Sequence, residues 1–262
     1  MLLFNKYKII EKISNGSYGT VYKGENIRTK EFVAIKIEDK GEKSLLKNET
    51  RVYIYLDSQK GFPQIKWFGC ENNKNILVMG LLGDSLTNIK TKYGKLSLHF
   101  TIKLGVQMID LLKTIHFKGL VHRDIKPENF LLGLNDKIDI LHLIDFGFCK
   151  KYTLSNNTHI SFKQTSNIIG SINYASLNVH NRIEPSRRDD LESSIYILMY
   201  LLDCLVWEKY TDEYIIIQTK KNIINTDIPV FVKEMLQYIQ NLRFDECPDY
   251  KLLRNILENG TL

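Results

Sequence analysis

Cysteine is scarce and scattered: four residues, Cys70, Cys149, Cys204 and Cys247, with no CxxC pair among them. That spacing argues against a zinc site and a disulfide framework, and it fits a reducing compartment. No apolar run reaches membrane length. The longest, IYILMYLL over residues 195–202, stops at Asp203 and reads as a buried helix. The opening MLLFNKYK has too short an apolar run for a signal peptide. The chain is therefore expected inside the cell, in cytoplasm or nucleus, not secreted and without a membrane partner. Charge is not concentrated either. The formal balance is +6, and the basic pairs Lys150-Lys151, Arg187-Arg188 and Lys220-Lys221 have the pattern of solvated surface. No nucleic-acid partner is expected, whereas a modest positive balance suits acidic or phosphorylated partners. Internal repeats, low-complexity tracts and flexible linkers are all missing, and a monomer is the expectation.

The composition that is present, 44% hydrophobic and 25% charged, is that of an ordinary globular protein long enough for one large domain or two lobes. YKIIEKIS (7–14), TVYKGE (20–25) and EFVAIKIE (31–38) are β-rich runs, separated by turn signals at Asn15-Gly16 and Arg28-Thr29-Lys30. After Gly83 the period changes. Leu104, Met108, Leu111 and Ile115 recur at helical spacing within 98–116, and 230–242 and 250–257 read as helices too. The predicted class is α+β, with a small β-rich lobe (1–79) carrying one helix, a connection (80–85) and a larger, mainly helical lobe (86–262).

Particular residues point to chemistry. In SNGSYGTVYKG, Gly16 and Gly19 let backbone N–H groups approach phosphate oxygens where side chains would intervene. A glycine pair alone also fits a plain hairpin turn. Seventeen residues after Gly19, VAIKI places Lys36 at the centre of an apolar strand, where a charge needs a partner. The next helix supplies one: Leu45, Glu49, Val52 and Leu56 share a face, so Glu49 is a carboxylate on an apolar stripe. NILVMGLLGDSL (75–86) then runs from a strand through Gly80 and Gly83 to a helix start at Asp84 or Ser85, a crossover whose free backbone groups suit the edge of an adenine. VHRDIKPENFLL (121–132) sets Asp124 two residues before Lys126 and five before Asn129, and LIDFGF brings Asp145 with Phe146-Gly147 twenty-one residues later. This order matches a protein kinase: Asp124 to accept a hydroxyl proton, Lys126 to neutralise the moving phosphoryl, Asn129 and Asp145 to hold metal.

HRDIKPENFLLG (122–133), LIDFGFCKKY (143–152), GSINYASLNVH (170–180), PSRRDDLESSIYILMYL (185–201) and LRFDECPDYKLLRNI (242–256) closely resemble the casein kinase 1 family of serine/threonine kinases. Ser176-Leu177-Asn178 is similar to that family's S-I-N, where most protein kinases carry A-P-E. The likeness runs from Tyr7 to about Leu257 and implies a bilobal kinase fold and the use of ATP with Mg2+. It also implies activity without activation-loop phosphorylation, and protein substrates with serine or threonine, acidic or phosphate-primed. It implies catalytic roles for Asp124, Lys126, Lys36, Glu49 and Ser171, the last in place of a Thr that braces Asp124 and Lys126. The implied nucleotide contacts are Ser14, Asn15, Gly16, Ser17, Gly19, Val21, Ala34, Lys36, Met79, Gly80, Leu82 and Leu132. Asp190 resembles the acid that anchors the catalytic-loop backbone; it also reads as an N-cap.

Four departures qualify the likeness. Ser14 stands where the first phosphate-loop glycine belongs, which predicts weaker or slower nucleotide handling. Gly80 replaces an acid in the connection, and Ile195 replaces a glycine in the long helix. Asn173 and Ser166 occupy places that are basic in the family and that help bind a phosphate already on the substrate, with Lys220 or Lys221 left to retain part of that pocket. A weaker preference for primed substrates is expected. The short run after Leu257 leaves no room for an inhibitory tail and predicts a constitutively active enzyme. The alternatives are a pseudokinase scaffold or decoy, favoured only by Ser14, and a small-molecule phosphotransferase, disfavoured by Lys126 and by the peptide-receiving segment 148–178.

Overall fold

The computed structural model describes residues 1–16, 19–41 and 44–260. The predicted α+β class holds. The chain forms two compact units, Met1–Asp84 with Leu131–Phe148, and Ser85–Phe130 with Cys149–Leu262. Residues 131–148 thus return to the strand-rich unit after a first excursion into the helical one.

The strand-rich unit is built on an antiparallel sheet in the order β1 (Leu2–Leu3), β2 (Tyr7–Gly16), β3 (Gly19–Asn26), β4 (Phe32–Asp39), β6 (Lys74–Gly80), β5 (Ile65–Glu71). Alternation along β4 sorts its side chains. Val33, Ile35 and Ile37 are buried and form a core with Leu3, Tyr7, Ile76 and Val78; Ala34 and Lys36 therefore lie on the opposite face. Asn15 and Gly16 close β2 instead of forming the turn. Strand β5, IKWFGCE, carries little alternation of its own and is defined by pairing with the central strand β6. Helix α1 (Leu45–Tyr55) begins at Ser44, whose side chain accepts the Lys47 N–H. The carboxylate of Glu38, on β4, accepts the Leu45 and Leu46 N–H groups at 2.9 and 3.2 Å, fastening the helix to the strand that carries Lys36.

The helical unit contains α2 (Leu86–Tyr93), α3 (Leu98–Phe117), α4 (Leu177–His180), α5 (Arg187–Leu201), α6 (Glu213–Asn222), α7 (Val230–Asn241) and α8 (Tyr250–Asn259). Leu120–Val121 also pairs there with Lys150–Lys151. Ser85, Ser97, Ser176, Asp212 and Asp249 accept first-turn N–H groups at their helix starts. Helix α5 is buried from Asp189 to Leu201, packs against α3 and α7, and encloses Ile195 completely. It starts at Arg187, well ahead of the apolar run 195–202, with the Asp189 carboxylate accepting the Ser186 N–H at 2.7 Å at its N-terminus. Asp190 is consequently not its N-cap, and its carboxylate is directed elsewhere. Among the described residues no helix is long and apolar enough to cross a membrane.

Two buried imidazoles brace this unit. His116 sits between the Tyr250 hydroxyl (2.7 Å) and Asp190 (3.0 Å), and His180 between Glu213 (3.2 Å) and Lys220 (3.1 Å). Burial holds both below the ordinary histidine pKa, His180 at about 4, where the neighbouring Lys220 charge adds to the effect. A neutral buried histidine stabilises the fold above its unfolded pKa of about 6.5, and that contribution is lost as pH falls toward the folded value. His180 alone accounts for roughly 2–3 kcal/mol of destabilisation by about pH 4.5. Urea unfolding at pH 7, 6, 5 and 4.5 is expected to show a midpoint that falls steadily below pH 6.5; a flat midpoint contradicts the burial of neutral histidine.

Candidate active site

In the strand-rich unit, the register pairs Val21 with Lys36 and Lys36 with Leu77, and pairs Ala34 with Met79. Directly paired residues project to the same side, so Val21, Ala34, Lys36 and Met79 share one face of the sheet. Gly16 and Gly19 meet at the β2–β3 hairpin; Gly19 has φ +133°, and a Cβ there would lie 2.5 Å from the Ile37 carbonyl oxygen. Only glycine fits that position. Ser17, expected beside them, lies outside the described residues. Ser14 is paired with Val21 in extended strand, and Thr20 donates to Asn15 at 2.7 Å. Nothing at Ser14 demands a glycine backbone, so its replacement of a glycine leaves the hairpin intact.

Leu132 donates to the Asp84 carbonyl and accepts the Gly83 N–H, tying 82–84 to the 131–148 segment. The Leu82 N–H and C=O have no hydrogen-bond partner among the described residues, as suits groups that would meet a planar heterocycle. Gly80 is not sterically required, since a Cβ there would meet nothing within 4 Å.

Lys36 is 13% exposed, with its ammonium 2.7 Å from Glu49 and 3.0 Å from Asp145. Burial works against the charge on Lys36, but the two carboxylates outweigh it and raise the pKa above the ordinary lysine value. Lys36 therefore stays cationic at neutral pH. The helix delivers Glu49 as the apolar stripe predicts, at 2% side-chain exposure. Two residues missed in the sequence complete the cluster. Tyr53, one turn beyond Glu49, hydrogen-bonds to Glu49 and accepts the Asp145 N–H at 3.1 Å. The Asn48 amide donates to the carbonyls of Phe146 and Gly147 at 3.3 and 3.0 Å. The i, i+4 spacing of Glu49 and Tyr53 was the available signal. Asp145 itself has φ +64°, a left-handed conformation uncommon for a non-glycine residue.

In the helical unit, Asp124 is 5% exposed. One carboxylate oxygen accepts the Ser171 N–H (3.1 Å) and hydroxyl (3.2 Å); the other accepts the Lys126 ammonium at 2.7 Å. Ser171 thus braces Asp124 as expected, and Lys126 meets the same carboxylate directly. The Asn129 amide donates to the Asp124 carbonyl at 2.8 Å, which orients its own carbonyl oxygen away from that group. The buried Asp190 accepts the His122 and Arg123 N–H groups at 2.7 and 2.9 Å and takes a third bond from His116. Burial alone would raise its pKa, yet His116 and the other donors hold it below the ordinary aspartate value. It anchors the loop while Arg123, at φ +71°, makes the sharp turn into Asp124. The Arg123 side chain reaches Glu184, which also receives Lys150 at 2.7 Å and Lys163 at 3.6 Å. No sequence pattern signalled Glu184 as a hub, because its three partners are distant in the chain.

Lys220 corrects an expectation. It is 1% exposed, with its ammonium turned inward, and so cannot retain part of an anion pocket; Lys221 is exposed, as is Ser166. Asn173 uses its carbonyl to accept the Trp207 indole N–H at 2.8 Å.

As ligands, Asp145 and Asn129 offer oxygen donors only, and the described residues contain no cluster of three or more His, Cys, Asp or Glu that could hold a metal. Oxygen donors of this kind suit a hard divalent cation that keeps water and phosphate ligands, not a thiolate- or imidazole-bound metal. Within the strand-rich unit a lysine kept cationic by two acids shares the sheet with a glycine hairpin, and within the helical unit a buried carboxylate holds a lysine; each arrangement suits the handling of phosphoryl charge. Consistent with this chemistry, the family model for the protein kinase domain matches residues 7–246, and the chain belongs to the protein kinase domain family.

Proposed function

We propose that the enzyme is a serine/threonine kinase that transfers the γ-phosphoryl of ATP, taken with Mg2+, to protein hydroxyls in the manner of the casein kinase 1 family it resembles. The observation that carries this reading is the Asp124 carboxylate bound by Lys126 and Ser171. The acceptor oxygen bonds to the γ-phosphorus as the bond to the ADP oxygen breaks, and the acceptor proton passes to Asp124. Lys126 neutralises charge on the phosphoryl in flight. Lys36, aimed by Glu49, holds the phosphates that stay with ADP. Asp145 and Asn129 would hold a divalent ion, which when bound would supply further charge neutralisation. Lys126 two residues after the catalytic acid favours serine or threonine over tyrosine acceptors.

Activity without phosphorylation of the segment after Asp145 is supported by Glu184. Its carboxylate gives Arg123, Lys150 and Lys163 the anionic partner that a phosphate supplies elsewhere. Weak dependence on primed substrates is supported by Asn173, Ser166 and the inward-facing Lys220, which leave charge-assisted contacts of about 1.5–3 kcal/mol each unmade.

One peptide in four forms tests the reading: acceptor Ser, acceptor Tyr, and each with a phosphoserine upstream. With labelled Mg·ATP, transfer to Ser is expected to dominate, and priming to raise kcat/KM by well under about a hundredfold, the equivalent of roughly 2.7 kcal/mol. Preference for Tyr, or a primed advantage of that size, overturns the corresponding part. Absence of transfer above Asp124→Asn in folded protein overturns the whole in favour of a scaffold.

A further inference from the structure

Lys220, on α6, is buried without touching a carboxylate among the described residues. A lysine on a helix ordinarily extends its ammonium to water, and a buried ammonium needs its hydrogen bonds met. Here they are met by backbone. The ammonium donates to the carbonyls of Ile172 (3.0 Å) and Ala175 (2.7 Å) and lies 3.1 Å from the His180 Nε2, over the rings of Tyr196 and Trp207. The intervening Asn173 carbonyl takes the Trp207 N–H. Residues 172–175 belong to no helix or strand, so their inward carbonyls have no ladder to satisfy them. Three of the four are bound by Lys220 and Trp207. Burial pushes the Lys220 pKa down to about 7, with Glu192 and Glu213 opposing; a neutral amine would still carry an N–H for each of the two carbonyls.

The same segment is fastened at its other end to Asp124. Ser171 donates to the Asp124 carboxylate through N–H and hydroxyl, and its carbonyl accepts the N–H groups of Tyr174 (3.0 Å) and Ala175 (2.9 Å). A tight turn therefore links the acid to the residues that Lys220 grips from beneath.

We infer that Lys220 is a positioning residue for the protein acceptor: by clamping the 172 and 175 carbonyls it holds segment 171–175 in place beside Asp124, and so governs acceptor binding without touching nucleotide. The inference rests on the peptide-kinase reading above. Its signature is a separation of two Michaelis constants. Lys220→Met, which keeps length and removes every donor, is expected to raise KM for the serine peptide about tenfold or more, the equivalent of one lost hydrogen bond. KM for Mg·ATP, and the slow hydrolysis of Mg·ATP by water, should stay within about twofold, whereas general damage to the fold would move all three. Trp207→Phe removes the donor to Asn173 and part of the ring beneath Lys220 while leaving the Lys220 donors in place; it is expected to shift peptide KM in the same direction by a few fold, which keeps the test open if Lys220→Met does not fold. Peptide KM unchanged in folded Lys220→Met, or in Trp207→Phe when only that variant folds, overturns the clamp and leaves the kinase reading standing. A wild-type enzyme that hydrolyses Mg·ATP but transfers to no peptide overturns the acceptor reading, and the role of Lys220 with it.

Discussion

Asp124→Asn is expected to lower the rate of phosphoryl transfer at saturating Mg·ATP by about 10²–10⁴-fold, the range for losing a positioned proton acceptor. The amide has the same shape and can still accept from Ser171, so the segment held at 3.1 and 3.2 Å should remain in place. It loses the anion that binds Lys126 at 2.7 Å and the lone pair basic enough to take the hydroxyl proton. Because Asp124 is 5% exposed and its environment already contains a lysine, water is poorly placed to substitute. Single-turnover transfer with the serine peptide separates this chemical step from product release. Binding of Mg·ATP should be nearly unchanged and Tm little altered. Transfer within about threefold of wild type would remove Asp124 from the reaction and require another base.

Lys36→Met should be as damaging to activity and far more damaging to the fold. Removing a positioned cation from developing phosphate charge costs about 10²–10³-fold in kcat/KM. Glu49, 2% exposed, is left as a buried carboxylate without its ammonium, a penalty of about 3–5 kcal/mol. For a chain of this length that lowers Tm by roughly 6–15 °C. The variant should also acquire a distinctive pH dependence. Without Lys36, burial raises the folded-state pKa of Glu49 above its unfolded value, so stability is full below about pH 4.5 and declines as pH rises through the folded pKa. Adding Glu49→Gln removes the buried charge. The double variant should regain much of the lost Tm, lose the pH dependence and remain inactive. A double variant no more stable than Lys36→Met would mean that Glu49 is not an ion-pair partner, whatever the 2.7 Å separation suggests.

The candidate site divides by how each residue is made visible. Lys36 and Glu49 stood out because each contradicts its surroundings, a charge in an apolar strand and an acid on an apolar stripe. Such contradictions call for a partner, and the two answer one another. Asp124, Lys126 and Asn129 were legible through short fixed spacing in one loop, and Asp145 through its adjacency to Phe146-Gly147. Glu184, His116, Tyr250 and Trp207 were not legible. Each acts through a backbone group or a charge at the far end of a long sequence separation, and none is anomalous in its own window. Lys220 was misread for a related reason. A Lys-Lys pair near the end of an amphipathic helix looks solvated, and nothing local reveals that one of the two points inward to unpaired carbonyls.

Local sequence thus determined the class and the principal strands and helices, since periodicity, capping and motif spacing are short-range properties. The register of Val21, Lys36 and Leu77 was decided by strand pairing. The start of α5 is held by the Asp189 carboxylate accepting the Ser186 N–H, which leaves Asp190 to hold the His122–Arg123 backbone instead of a helix end. The inward turn of Lys220 was decided by carbonyls 45 and 48 residues away in the chain. Those choices belong to the tertiary structure because each satisfies a buried polar group with a partner that only folding brings near.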